Sequence, residues 1–170
     1  MANTQDFLDD RRVGRIVLAI TILIVLVAPV LAATAPDFAL RSVAGSNYRL
    51  SEHRGEVVAL IFWASWCGEC RRELERFKKL RTTYAPAGLV VLSVSLDEEP
   101  ARAATMAQAA GIDYPVLVDA GKKVSRAYEA DRLPLILLID RNGVIRARYD
   151  ALDEREERGL LVQLRDLIDE

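Results

Sequence analysis

Cysteine is nearly absent from this chain of 170 residues, which contains only Cys67 and Cys70. A fold stapled by disulfides carries several cysteines spread along its length, so this pair points to reactivity rather than cross-linking. Histidine is rarer still, with His53 alone. A structural zinc site needs four ligands, and one histidine with two cysteines falls short of that set. We therefore expect no metal and no cofactor. Covalent haem attachment requires histidine directly after the second cysteine, where this chain has Arg71. Neither cysteine precedes a processing site, which excludes a lipid anchor on a cysteine. A basic surplus is also missing, since 23 Lys and Arg stand against 25 Asp and Glu. That balance argues against nucleic acid as a partner.

What the chain does have is an apolar run near its start. Residues 16–33 are apolar except for Thr21, and Pro29 interrupts them. Arg11, Arg12 and Arg15 precede the run, and Thr34 and Ala35 follow it. Two readings of residues 1–35 stand side by side. One is a signal peptide with its apolar core at 16–28, cleaved after Ala32 or Ala35. The other is an uncleaved N-terminal transmembrane anchor, because the run approaches the ~20 residues a spanning helix needs. The arginines ahead of it favour a cytoplasmic N-terminus. Either reading places residues 36–170 outside the cytoplasm as one compact domain, with no internal repeat and no low-complexity stretch.

Within that domain the pattern alternates strands and helices. Residues 37–50 contain Gly45-Ser46-Asn47 and read as a short hairpin. Residues 57–63 are apolar throughout, as expected for a central strand covered on both faces. An amphipathic helix follows, with Leu74, Phe77, Leu80 and Tyr84 at three-to-four spacing and Pro86 and Gly88 ending it. Strands are expected at 89–96, 114–118 and 135–139, and helices at 98–110 and 122–128. Asp140-Arg141-Asn142-Gly143 is a turn that returns the chain as a hairpin partner at 144–149. A last helix is expected at 154–168 with Leu160, Leu161, Leu164 and Ile168 inward. The alternation predicts an α/β fold with parallel central strands and an antiparallel edge. Chemistry in such sheets gathers at the carboxyl ends of strands, and Cys67 lies four residues past the 57–63 strand, at the start of the next helix.

Thiol–disulfide exchange needs one thiolate that attacks and a second thiol that resolves the mixed disulfide. A Cys-x-x-Cys pair at a helix N-terminus supplies both. Unpaired backbone N–H groups and the helix dipole stabilise the first thiolate, and the spacing brings the second sulfur within bonding distance. Cys67 is then the exposed nucleophile and Cys70 the buried resolving thiol, with Trp66 flanking the attacking sulfur. The pair reads as a redox-active disulfide. A static disulfide is the competing reading, though so short a loop constrains the unfolded chain little.

Several stretches carry a resemblance. They are Ala35-Pro36-Asp37-Phe38, Leu50-Ser51-Glu52-His53-Arg54-Gly55, Phe62-Trp63-Ala64-Ser65-Trp66-Cys67, Cys70-Arg71-Arg72-Glu73, and Leu133-Pro134 ahead of Leu138-Ile139-Asp140-Arg141-Asn142-Gly143. In them the chain resembles the membrane-anchored, thioredoxin-like thiol–disulfide oxidoreductases of bacteria, a group that includes cytochrome c biogenesis reductases and redoxin-domain proteins. The resemblance covers nearly all of residues 36–149. It implies a thioredoxin fold with a mixed central sheet, an N-terminal hairpin extension and an inserted helix–strand unit within 98–128. It implies reduction of disulfides in exported proteins, with cytochrome c maturation as one setting, and a membrane electron donor as the second partner. It places the protein in the bacterial periplasm or at the extracytoplasmic face, tethered to the inner membrane through the N-terminal segment.

The resemblance also assigns residues. Pro134 is implied to be a cis-proline, so that Leu133 and Pro134, with Trp66, form the surface that binds an extended substrate segment. Glu73 matches a carboxylate of the family that can accept and return the proton of Cys70; a solvated glutamate on the helix surface is the competing reading. Ile61 occupies the position where thioredoxin carries a buried Asp, which leaves Glu73 as the close candidate for that proton. Glu69 stands where most of the family has Pro, and Glu75 where many have a second Pro. The charge of Glu69 disfavours the Cys67 thiolate and Arg71 and Arg72 favour it. We expect a reductant or mild exchanger from this balance.

Other readings remain open. A peroxiredoxin-like peroxidase needs Pro and Thr ahead of a single peroxidatic cysteine, and Leu60 and Ala64 occupy those positions. A membrane-tethered redox-sensing or partner-binding module would use the same pair without turnover. His53 lies in a polar turn far from the motif and reads as a surface residue.

Overall fold

The computed structural model describes residues 33–170. Residues 16–32 of the apolar run, on which both export readings rest, lie outside these residues. Among the described residues no helix is long and apolar enough to cross a membrane.

Strand β3 (Val57–Trp63) is buried at every position, which accounts for a sequence with no polar alternation. Hairpin β1 (Ala39–Arg41) and β2 (Asn47–Arg49) precedes it as a separate two-stranded sheet. After β3 come β4 (Leu89–Ser95), β5 (Val116–Val118), β6 (Leu135–Ile139) and β7 (Ile145–Tyr149). These form one five-stranded sheet in the order β5-β4-β3-β6-β7. β3, β4 and β5 run parallel, β6 is antiparallel to β3, and β7 is antiparallel to β6. The helices are α1 (Cys70–Tyr84), α2 (Pro100–Ala109), α3 (Lys123–Ala127) and α4 (Glu154–Asp169). The mixed sheet, the leading hairpin and the inserted α2–β5 unit agree with the expected architecture.

Side chains alternate across a strand, so β3 serves two cores. Val57, Ala59, Ile61 and Trp63 pack with Leu74 and Phe77 of α1 and with Leu160, Leu164 and Leu167 of α4. Val58, Leu60 and Phe62 pack on the other face with Phe38, Leu50, Val124 and Tyr128. Register fixes where the chemistry falls. Trp63 pairs with Ser95, and Phe62 pairs with Leu135. The end of β3, the end of β4 and the start of β6 therefore share one end of the sheet.

Four expectations shift in detail. Helix α2 starts at Pro100 rather than at residue 98, because Glu99 is extended and proline suits the first helical turn. Tyr114 precedes β5 instead of belonging to it, and its hydroxyl donates to the Leu74 carbonyl at 2.9 Å. Val144 falls outside β7 because its N–H donates to Asp140 Oδ1 at 2.9 Å, within the turn. On α4, Leu160 and Leu164 face inward as expected, but Leu161 and Ile168 are only half-buried and Leu167 takes the third inward place.

Candidate active site

β3 delivers the cysteines. Past Trp63 the chain turns tightly, and the Cys67 N–H donates to the Ala64 carbonyl at 3.1 Å. A second turn follows, in which the Cys70 N–H donates to the Cys67 carbonyl at 3.3 Å. Cys67 thus stands in the turn that enters α1, and the helix itself begins at Cys70. The two residues form a disulfide with their Cα atoms 5.4 Å apart. Exposure falls steeply along the motif: Trp66 is 69% exposed, Cys67 9% and Cys70 0%. Only the first cysteine is within reach of a second protein, and Trp66 projects beside it.

The N-terminus of α1 leaves backbone N–H groups without helical partners. Glu69 occupies the N-cap position but makes no side-chain capping bond. Those N–H groups, at the end of α1 that follows Cys67, are therefore left without a side-chain cap. The expected help from arginines is redirected. Arg71 donates to Glu75 Oε1 at 2.9 Å and to the Ala109 carbonyl at 3.1 Å, bridging α1 to the end of α2. Arg72 lies 3.5 Å from Glu73.

Glu73 is fully buried, so it is not a solvated helix-surface residue. It sits three residues after Cys70, the spacing that puts two side chains on the same helical face. Arg76 Nη1 donates to both of its oxygens, at 3.0 and 2.7 Å, and to the Leu152 carbonyl at 3.3 Å. Nη2 of the same arginine pairs with Glu157 of α4 at 3.2 Å. Burial raises the Glu73 pKa above its ordinary 4.5, while Arg76 and Arg72 oppose the rise.

The Leu133–Pro134 peptide bond is cis. Pro134 is buried, Leu133 is half-buried, and both lead into β6 at the end of the sheet that carries the cysteines. Ile61, in place of a buried acid, is fully buried and pairs with Ile136. His53 stands at the opposite end of β3, where its Nδ1 lies 2.8 Å from Glu56 Oε2. Sequence reasoning missed Asp97, a buried carboxylate two residues past β4 that is hydrogen-bonded to Ser65. The available signal was a short polar residue two positions past the end of each of two adjacent apolar strands.

This fold and site define a thioredoxin-like protein whose one cysteine pair closes a Cys-x-x-Cys disulfide beside a cis-proline. The chain belongs to the AhpC/TSA family, whose model matches residues 31–148. Among curated proteins it is similar to the thiol-disulfide oxidoreductase ResA of Geobacillus kaustophilus, at 36% identity over 113 residues, which is 66% of this chain and 65% of that one. It is also similar to the thioredoxin-like protein YneN of Bacillus subtilis, at 32% identity over 113 residues, 65% of this chain and 66% of that one. The match thus spans just under two thirds of the length of these relatives. Among solved structures it is similar to a candidate DsbE thiol:disulfide interchange protein of Chlorobium tepidum. That likeness has a TM-score of 0.76 and 31% identity, and covers 81% of this chain and 96% of the other.

Proposed function

We propose that the protein is a thiol–disulfide oxidoreductase that reduces disulfides in exported proteins. One observation carries this reading: an accessible Cys67 bonded to a fully buried Cys70, at the end of the central strand. In the reduced enzyme the Cys67 thiolate attacks one sulfur of a substrate disulfide. A mixed disulfide forms, and the first substrate thiolate leaves and takes up a proton. Cys70 then loses its proton to Glu73 and attacks the Cys67 sulfur. The second substrate thiolate leaves, and the enzyme holds the Cys67–Cys70 disulfide. Two electrons have passed to the substrate, and a dithiol donor at the membrane restores the enzyme by the same exchange.

Trp66, Leu133 and Pro134 form the surface against which the substrate segment lies. The protein works at the extracytoplasmic face, its relatives' names support a place among disulfide-handling enzymes, and the family resemblance of its motifs makes cytochrome c maturation one setting. Ala33 and Ala35 bond to the 143–145 turn, through Ile145 N–H to the Ala33 carbonyl and Ala35 N–H to the Gly143 carbonyl, both at 2.9 Å. Retention of the anchor, or processing after Ala32, keeps these bonds; processing after Ala35 removes them.

The test is turnover of a protein disulfide by the reduced full chain and by its Cys67→Ser variant. The variant should be inactive. Undiminished turnover would sink the enzyme reading. Cys70→Ser should trap substrate as a mixed disulfide on Cys67, and that adduct names the substrate.

A further inference from the structure

Asp97 is a carboxylate that the exchange steps above do not use. It is 3% exposed. A carboxylate withdrawn from water must recover its hydrogen bonds inside the protein. Asp97 does so from two places. The Ser65 N–H donates to Oδ2 at 2.9 Å, and the Ser65 hydroxyl donates to Oδ1 at 2.7 Å. The Ser95 hydroxyl donates to Oδ2 at 2.7 Å, while the Asp97 N–H donates to Ser95 Oγ at 3.1 Å. The Ser95 bonds fasten the carboxylate to the end of β4. The Ser65 bonds then grip a residue two positions ahead of Cys67 by both backbone and side chain. A hold at two points fixes orientation as well as position.

We infer that Asp97 is a positioning residue for the redox turn: through Ser65 it holds Cys67 in place when the bond to Cys70 is open. The inference rests on the reading of the pair as the exchange centre. In the oxidised protein the disulfide itself restrains Cys67 against Cys70. The reduced protein lacks that link, and the Asp97 strap is the side-chain tie that remains on the turn. Losing the strap costs the dithiol form more than the disulfide form. The thiol–disulfide equilibrium of the pair then moves toward the disulfide. Attack by Cys67 also slows, because a nucleophile displaced from its approach line reacts less often. A residue serving stability alone would weaken both forms alike and leave equilibrium and rate unchanged.

The experiment uses the full chain with Ser65→Ala, Asp97→Ala and the double variant. The equilibrium is measured against glutathione, and the rate against glutathione disulfide. Ser65→Ala removes one hydrogen bond to the Asp97 carboxylate, and because the bond is present in the disulfide form too, its full worth of about a tenfold change in an equilibrium constant is the upper limit of the shift. We expect a shift toward the disulfide of more than twofold and up to about tenfold, and a slower attack. In the Asp97→Ala background the Ser65→Ala substitution should change neither, since the two act through one bond. An equilibrium and rate within twofold of wild type for Ser65→Ala, or full additivity in the double variant, overturns the assignment. Ser65→Ala decides alone if Asp97→Ala does not fold. Full turnover by Cys67→Ser would instead overturn the exchange centre itself, so the two failures are distinct.

Discussion

Two buried carboxylates stand by the cysteine pair, and the protein satisfies them in opposite ways. Glu73, on α1, meets a cation: both its oxygens accept from Arg76. Asp97, past β4, meets neutral donors from Ser65 and Ser95. The difference separates two uses of the same functional group. Around Glu73, burial raises the proton affinity and the arginines offset it only in part. That suits a group that takes and returns a proton. Around Asp97, every bond is aimed at a named atom of the turn or the strand, which suits a fixed strap. Glu73 also reaches α4 through the Arg76–Glu157 pair, so the proton site is braced by the terminal helix.

The largest break in this comparison comes from Arg76→Met. It strands a buried carboxylate, and removing one partner of such a pair costs about 3 kcal/mol at neutral pH. Urea denaturation should show the loss at pH 7 and a smaller one near pH 4.5, where Glu73 takes up a proton and needs no partner. An equal loss at both pH values would mean that Arg76 acts by packing rather than charge. Glu73→Gln comes next. General acid–base groups contribute about 100-fold or more, so release of substrate from the Cys67 mixed disulfide should slow by about 100-fold. The first attack by Cys67 should keep its rate.

Stability sharpens the same point. The folded pKa of Glu73 is raised, so its contribution is fully present below the unfolded value of 4.5 and is lost as pH rises through the folded one. Wild type should therefore gain on Glu73→Gln as pH falls from 7 toward 4.5. A constant gap between the two across that range would remove the charged carboxylate from the account.

Much of this was legible from residue order. The apolar 57–63 run specified a two-sided central strand, and β3 has those bounds. The Cys-x-x-Cys spacing specified the bonded pair, and the Leu133-Pro134 resemblance specified the cis bond. Side-chain surroundings were not legible. Nothing in Cys70-Arg71-Arg72-Glu73 reveals that the fourth residue is buried, because that depends on α4 folding back to bring Leu152 and Glu157 against Arg76. Ser65 and Asp97 are 32 residues apart, and only the β3–β4 register brings them together. Arg71 looked like a partner for Cys67 until α2 offered it the Ala109 carbonyl. Pattern fixed the backbone at these places, and long-range packing fixed the charges.

A third carboxylate, exposed and far from the cysteines, calibrates the two buried ones. Asp153 caps α4 by accepting from the Arg155 and Glu156 N–H groups at 2.8 and 2.7 Å, while Glu156 Oε2 accepts from the Asp153 N–H at 3.1 Å. This reciprocal box satisfies N–H groups that a helix start leaves open. Those bonds, first the one from Glu156, hold the Asp153 pKa below its usual 3.8. A depressed carboxylate contributes above its unfolded pKa and loses that contribution as pH falls through the folded one. Asp153→Ala should therefore lower Tm slightly at pH 7, and the gap to wild type should close as the solution is acidified below pH 3.8. Its trend is the reverse of that for Glu73, whose contribution grows on acidification. Thiol–disulfide exchange should be unchanged in this variant, because the Asp153 side chain bonds to the Arg155 and Glu156 N–H groups and not to the redox turn or to Arg76, and the Asp153 carbonyl that accepts from Glu157 is kept. A slower exchange in Asp153→Ala would mean that α4 transmits its fraying to Glu73 through Glu157, and the brace would then belong to the catalytic machinery.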